Sequence, residues 1–442
     1  MMTQITAKFS QLASVWYNLD VSIKIIFILV TFLLSFGLTT TTMVSASYPS
    51  TSNTWWEIQS VDTMKISRDS SEQILKDPAT FRPVIDKQMN DIAQLGATHV
   101  AIGTPYDEQF YPVLALWVDS ARSHNLKIWF RGNFSGWEEW FGYAPINRQE
   151  HTRLLGQFLQ NHPELFMDGD LFTPCPECEN GGPGDPRMNG DAKGHAQFLI
   201  EEYQLTDVAF KNMKKSVRHN LHSMNGDVAE LIMTPQNTKA LGGVITVDHY
   251  VRDPETLTQD TRQYARHSGG QVMLGEYGAP IPDIHGDFSP EEQAVWIDTS
   301  LSQLAKIPDL IGLNYWVNVG GSTALWNDNG TARPGVEVLK KYFSPQVYSG
   351  RVVDFGGDPI EGVILKSAYK TVQTDKEGNF SLAYLRSQDE LHITAPTYYS
   401  QNTTFEDAPA VIHMQQQPLA FTESVVRIVQ RFLKNFFDLF TR

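Results

Sequence analysis

Residues 244–277 read VITVDHYVRDPETLTQDTRQYARHSGGQVMLGEY. Two short apolar, β-branched runs, VITVDHY (244–250) and VMLGEY (272–277), flank a polar stretch whose pattern predicts a helix over 254–268. Strands apolar on both faces belong to a parallel sheet whose faces are covered, and the intervening helix is the crossover that parallel pairing requires. The unit therefore reads β-α-β.

The same unit recurs in both directions. Upstream stand WEIQSV (56–61), THVAIG (98–103), KIWFRG (127–132), GDLFTP (169–174) and AELIMT (229–234), and downstream LIGLNY (310–315). Helical patterns at 80–95, 109–124, 147–161, 194–222 and 289–306 separate most of them. Eight strand–helix units between residues 54 and 345 predict an α/β fold, a (β/α)8 TIM barrel, rather than an open sheet. No glycine-rich dinucleotide fingerprint follows the first strand and no P-loop occurs, so no cofactor is expected. No G-x-S-x-G elbow is present either, which speaks against an esterase.

The flanks differ from this core. Residues 25–38, IIFILVTFLLSFGL, carry no charge and follow Lys24, with Val44-Ser45-Ala46 as a small-residue cleavage site. Residues 1–46 thus read as a signal peptide or an uncleaved membrane anchor, either of which exports the rest of the chain. Residues 47–53 read as a linker. Residues 346–416 alternate short strands with Gly and Asp turns, the pattern of a small all-β sandwich. Residues 419–442 end in an amphipathic helix with a basic polar face, suited to a membrane surface or a partner helix. The expected location is extracytoplasmic, secreted or anchored at the cell surface. The formal net charge of −15 excludes a sequence-independent nucleic-acid binder.

In a (β/α)8 barrel the chemistry stands at the C-terminal strand ends. There the sequence puts Glu276 on strand 7 and, beyond strand 4, TPCPECENGG with Glu177 and Glu179. Paired carboxyls across a barrel mouth are what glycoside hydrolysis uses, one as acid and the other as nucleophile or base. Cys175 and Cys178 are the only cysteines and bracket Glu177. Their spacing admits a local disulfide, free thiols or half a metal site, although no second ligand pair completes the last, and no metal is expected. The loop NFSGWEEWFGY offers Trp137 and its aromatic neighbours either as a sugar platform or as a satellite core. Asn314 and Gln236 are further polar candidates for the cleft, and Asp248 is as readily structural as functional.

On these strand ends the chain resembles the clan A glycoside hydrolases, particularly the cellulase-like family 5 and its relatives, over residues 54–345. The resemblance implies a retaining mechanism with Glu276 as nucleophile and Glu177 as acid/base, and Glu179 as the rival for the second role. It further implies Tyr250 as hydrogen-bond donor to the nucleophile with His249 beside it, Trp316 as a sugar-stacking ring, and Arg131 as the buried strand-end arginine. One position departs: where the clan usually has Asn before the acid/base, this chain has Pro176, which leaves the sugar 2-hydroxyl contact to Asn180 or Asn133. Residues 348–414, with GRVVD, PIEGV and TDKEGNFSL, resemble the carboxypeptidase regulatory-like domain, an accessory module. The expected partner is a carbohydrate substrate, with a membrane surface reached through the two chain ends. The competing reading is a non-catalytic carbohydrate-binding or cell-envelope scaffold protein on a degenerate barrel.

Overall fold

The structure, a computed structural model, describes residues 51–182 and 184–418. The expected signal or anchor (1–46) and the expected amphipathic helix (419–442) lie outside the described residues. Among the described residues no helix is long and apolar enough to cross a membrane.

Eight parallel strands form one curled sheet: β1 (Ile58–Asp62), β2 (His99–Ile102), β3 (Lys127–Phe130), β4 (Leu171–Phe172), β5 (Ser223–Asn225), β6 (Val244–Asp248), β7 (Gln271–Tyr277) and β8 (Leu310–Tyr315). Each is followed by a helix: α1 (Pro78–Gln94), α2 (Tyr111–Ser123), α3 (Arg148–Asn161), α4 (Ala192–Met213), α5 (Gly226–Ile232), α6 (Pro254–Ser268), α7 (Pro290–Leu304) and α8 (Gly335–Phe343). β1 pairs with both β2 and β8, and the barrel closes between β4 and the segment leading into β5. There Leu171 bridges Arg218, the Phe172 N–H donates to Arg218 O at 2.8 Å, and Thr173 Oγ1 donates to Leu221 O at 2.7 Å.

Side chains alternate across a strand, so every second residue faces the barrel axis. A buried inner cluster takes Ile58, Ala101, Trp129, Leu171, Leu221, Val244, Met273 and Ile311, one from each strand or its lead-in. This apolar plug closes the barrel floor. Two residues further along several of these strands stand Arg131 above Trp129 and Ser223 above Leu221. Four residues above Ile58 and Val244 come Asp62 and Asp248. The polar layer at the mouth is thus the continuation, at period two, of the hydrophobic layer beneath it.

Two expectations need correction. AELIMT (229–234) is not strand 5: Gly226–Ile232 is helical, and the helix expected over 194–222 ends at Met213 with Lys214 in the left-handed conformation (φ 56°). Strand 5 is the three-residue Ser223–Asn225 between them. The apolar residues Val228, Ala229, Ile232 and Met233 are all buried, and their spacing is a helical stripe. Within so short a run it imitates a buried strand. Gln236 accordingly sits exposed in a helical turn, away from a strand end. The expected linker (47–53) also contains structure. Thr51–Ser52 pairs in parallel with residues 381–382 of the C-terminal region.

That region is two four-stranded sheets. One joins Thr51–Ser52, β12 (Asn379–Tyr384), β9 (Gln346–Asp354) and β15 (Val411–Met414). The other joins β11 (Thr371–Gln373), β10 (Ile364–Lys366), β13 (Glu390–Thr394) and β14 (Gln401–Thr404). They enclose a separate core including Val352, Val363, Leu365, Phe380, Leu391, Ile393 and Ile412. The β10–β11 turn rests on the barrel: Tyr369 meets Trp55 edge to face at 5.6 Å, and the Lys370 ammonium donates to Trp55 O.

Candidate active site

Arg131, 1% exposed, is the hub of the mouth. It follows β3, where alternation turns its side chain toward the axis. Its guanidinium reaches Asp62 Oδ2 at 2.7 Å, Asp248 Oδ2 at 2.9 Å, Glu276 Oε1 at 3.0 Å and Ser223 Oγ at 3.2 Å. Four strands are tied to one cation. A charge so buried is sustained only by partners, and the carboxylates hold this one firmly in its protonated form.

Glu276 stands near the end of β7 and has both oxygens engaged. Oε1 meets Arg131, and Tyr250 Oη donates to Oε2 at 2.8 Å. Burial, with the charges of Glu177 and Asp62, pushes the Glu276 carboxyl up to about 8 against the pull of Arg131 and the Tyr250 hydroxyl. Tyr250 itself is held protonated by burial and by the neighbouring carboxylates, so it remains a donor.

Glu177 comes from a different kind of backbone. It sits in the loop after β4 with φ 43° and ψ 51°, a left-handed conformation that costs a non-glycine residue about 1–3 kcal/mol. Its N–H donates to Ser223 O at 2.9 Å, and its Oε2 accepts from Asn180 Nδ2 at 2.9 Å. Cys175 and Cys178 are joined as a disulfide on either side of it, with Cα atoms 5.3 Å apart. Burial, then the charge of Glu179, raises the Glu177 carboxyl to about 7. Each of Glu177, Asp248 and Glu276 brings an oxygen to within 4.8 Å of the others. Three such oxygens could in principle meet around a cation, but the Arg131 guanidinium already fills that role for two of them, and none is assigned as a metal ligand.

Glu179 is turned elsewhere. It is 3% exposed, and its Oε1 accepts from the Asn225 N–H at 2.6 Å and from Asn225 Nδ2 at 3.0 Å. It is therefore occupied at the start of α5, and burial raises it to about 7.

The remaining candidates differ in their surroundings. Trp137 is buried under Gly181 and Gly182, against His151 and Phe198 at 4.8 and 5.3 Å, and belongs to a satellite core. Asn133 is buried too. Its Oδ1 meets His151 Nε2 at 2.8 Å, and its Nδ2 donates to Glu138 Oε1 at 2.9 Å. Asn314 is fully buried and donates to Asp62 Oδ2 and Gly275 O, both at 2.9 Å, so it braces the carboxyl ring from below. The His249 ring meets Asp260 at 2.8 Å and the Tyr264 hydroxyl at 3.3 Å, toward α6, while its backbone N–H donates to Glu276 O at 2.9 Å. The side chains of Asn133 and His249 thus have hydrogen-bond partners inside the protein, as does the Asn314 Nδ2, whereas Trp137 Nε1 and Asn314 Oδ1 are buried without one among the described residues. Trp316 is half-buried, follows β8 and is joined to Val317 by a cis peptide bond. Asn180 is exposed beside Glu177.

Sequence reading missed Asp62, placing the end of strand 1 at Val61. The signal was available: Ile58, Ser60 and Asp62 alternate onto one face, so an acid at the third position faces the mouth. Glu138 was passed over as well. Burial raises its carboxyl to about 7, with Asn133 as its donor.

No protein-family model and no curated protein sequence matches this chain. Among solved structures, a GH5_18 protein from Streptomyces cattleya in complex with Manb1-4GlcNAc aligns at 14% identity and TM-score 0.49, over 69% of this chain and 85% of that one. A GH5_18 protein from Bifidobacterium longum subsp. longum, also in complex with Manb1-4GlcNAc, aligns at 15% identity and TM-score 0.48, over 69% and 84%. At such identities the likeness assigns neither substrate nor residue roles, and the chemistry rests on the geometry of the site itself.

Proposed function

We propose that this protein is an exported, retaining glycoside hydrolase in which Glu276 attacks the anomeric carbon and Glu177 serves as acid and then base. The observation that carries this reading is the pairing of Glu177 and Glu276, whose nearest oxygens lie within 4.8 Å across the barrel mouth. Retaining pairs have their carboxyl groups about 5–5.5 Å apart and inverting pairs about 6.5–9.5 Å, to admit a water; we take the nearest-oxygen approach, a shorter measure than the carboxyl separation, as the retaining arrangement. The two environments divide the work. Glu276, with Arg131 and Tyr250 as donors, is stabilised as the anion. Burial raises both carboxyls, Glu177 to about 7 and Glu276 to about 8, so we assign the proton to the half-buried Glu177 on its partner alone, the neutral Asn180 amide.

In the first step Glu177 gives that proton to the glycosidic oxygen as Glu276 forms a glycosyl ester. Once Glu276 is esterified its negative charge is gone, and the Glu177 carboxyl becomes more acidic. It can then deprotonate the water that releases the sugar. Trp316 is the ring we assign to stacking on the substrate, and Asn180 the amide beside the acid. Export is supported by the apolar stretch 25–38 and by the disulfide, which suits an oxidising compartment. We read the C-terminal sandwich as a carboxypeptidase regulatory-like accessory domain.

Reducing-end release from a panel of β-glucans, mannans, galactans and host-type glycans tests the activity, with Glu276→Gln beside the wild type. Release by the wild type alone, with retained anomeric configuration in the product, is the expected result. Glycan binding without release by either protein would favour the scaffold reading, which Pro176 in place of the clan's Asn supports. Equal release by both would show that Glu276 is not the nucleophile.

A further inference from the structure

The buried ring at the mouth holds more acid than one cation can balance. Arg131 faces Asp62, Asp248 and Glu276, with Asp62 and Asp248 essentially inaccessible and Glu276 nearly so. Three carboxylates around one guanidinium would leave an uncompensated excess of two charges in a desolvated place, and such an arrangement takes up a proton. Hydrogen-bond donors show where it goes.

Asp62 is fully served. Its Oδ1 accepts the Met64 N–H at 2.7 Å, and its Oδ2 accepts Arg131 at 2.7 Å and Asn314 at 2.9 Å. Glu276 has one donor on each oxygen, Arg131 and Tyr250. Asp248 has Arg131 on Oδ2 only, and its buried Oδ1 has no hydrogen-bond partner among the described residues. An ionised oxygen without a donor is costly when buried, whereas the same oxygen as a neutral O–H, though also unpartnered, carries no charge and costs less.

The backbone makes room for this group. Pairing between β6 and β7 slips after Val247, so that Asp248 lies opposite Glu276. Gly275 then lies against the Asp248 carboxyl, where a Cβ would come within 2.2 Å of Oδ1.

We propose that Asp248 is the proton-bearing member of the ring, a neutral acid that leaves Arg131 to Asp62 and Glu276 and thereby keeps Glu276 ionised. Asp248 is then a positioning residue. The groups facing it are Arg131 from the end of β3, Glu276 on β7, Glu177 and Glu179 from the loop after β4, and Ser223 through Arg131. Burial, together with the three glutamates, drives its carboxyl upward against the pull of Arg131. Were it ionised, the next available site for the proton would be Glu276 itself, and the nucleophile would be silenced. The function given to Glu276 rests on the glycosidase reading, but the protonation of Asp248 does not.

The test is infrared spectroscopy of the full chain at a pH of about 9.5, where carboxyls raised to about 7 or 8, Glu276 among them, are largely ionised. A buried protonated-carboxyl band is expected in the wild type and in Glu276→Gln, and is expected to vanish in Asp248→Asn. Absence of the band in the wild type, or its survival in Asp248→Asn, overturns the proposal. Should Asp248→Asn fail to fold, selective 13C labelling of aspartate in the wild type reads the same proton from the carboxyl shift. On a glycan that the wild type turns over, Asp248→Ala is expected to lower kcat/KM by about 10²-fold. Asp248→Asn, which copies the shape of the neutral acid, is expected to recover most of that loss. Equal damage by both would mean that the charge is needed, which overturns the proposal. If no glycan is cleaved, the glycosidase reading fails while the infrared result still decides the state of Asp248.

Discussion

The tip of β7 and the loop after β4 each present one carboxyl to the same point in space, and they do it by opposite means. Glu276 lies within β7 between two neighbouring strands, at the point where pairing with both slips in register, and its side chain is held by Arg131 and Tyr250. Glu177 lies in a loop, in a left-handed conformation, with its backbone anchored to Ser223 and a disulfide closed around it. One acid is placed by the sheet and tuned by cations and donors. The other is placed by covalent and backbone constraint and left almost without donors. A nucleophile needs stabilised charge, while an acid needs its charge discouraged, and the contrast in support matches that need.

Removing the carboxyls should break the comparison most severely. Glu276→Gln is expected to lose about 10³-fold or more in kcat/KM on every substrate. Glu177→Gln is expected to lose about 10²–10⁴-fold with a poor leaving group, and far less with an activated aryl leaving group that needs no proton. Similar losses on both kinds of substrate in both variants would erase the proposed division of roles.

Stability should separate the two regions next. Arg131→Met strips the cation from buried carboxyls and is expected to destabilise the barrel by about 3–5 kcal/mol, read from denaturant unfolding. Opening the disulfide with Cys175→Ser and Cys178→Ser constrains far less chain and is expected to cost about 2 kcal/mol. Its larger signature should be a lower kcat, because the turn that presents Glu177 loses its clamp. A variant that keeps full kcat would show that the backbone bond to Ser223 places Glu177 without help.

The smallest effect concerns pH. The Glu177 carboxyl is raised to about 7 from an ordinary value near 4.5. The folded chain therefore holds a proton that the unfolded chain has released between those two values. Stability from this group is full below about 4.5 and declines as pH rises through 7. Glu177→Gln should accordingly raise Tm at pH 8 relative to wild type and leave it nearly unchanged at pH 4, an effect on the order of 1–2 kcal/mol. The alkaline limb of kcat/KM should fall in the same range, near 7, as the acid loses its proton. A midpoint well above 8 would point to a different acid.

Much of the barrel was legible in the chain because its strands are long enough to carry their own signal. VMLGEY and LIGLNY are continuous apolar runs, and the helices between such runs have regular amphipathic stripes. Strand 5 was not legible. Three residues carry no period, and the helix after it mimics a strand. Within the site, Glu276 and Glu177 were readable from their places at and beyond strand ends, whereas Tyr250 and Arg131 entered through the family resemblance. Trp137, Asn133, His249 and Asn314 were also near strand ends, yet the fold turns them inward or sideways: Trp137 packs against His151 and Phe198, and the other three make hydrogen bonds with neighbouring side chains.

The sequence by itself determined that eight strand–helix units alternate, that a second, sheet-rich region comes after them, and that acids stand beyond strands 4 and 7. Those are local patterns of period and order, set by backbone geometry within one segment. Only the tertiary structure decided which acids meet. Asp62, Asp248 and Glu276 come from strands far apart in the chain, and they converge because closing the barrel brings inward-facing positions of every strand onto one axis. It also decided that Glu179 turns to Asn225 while Glu177 turns to the mouth. That choice depends on a left-handed residue, a disulfide and a partner strand, and no single segment contains all three.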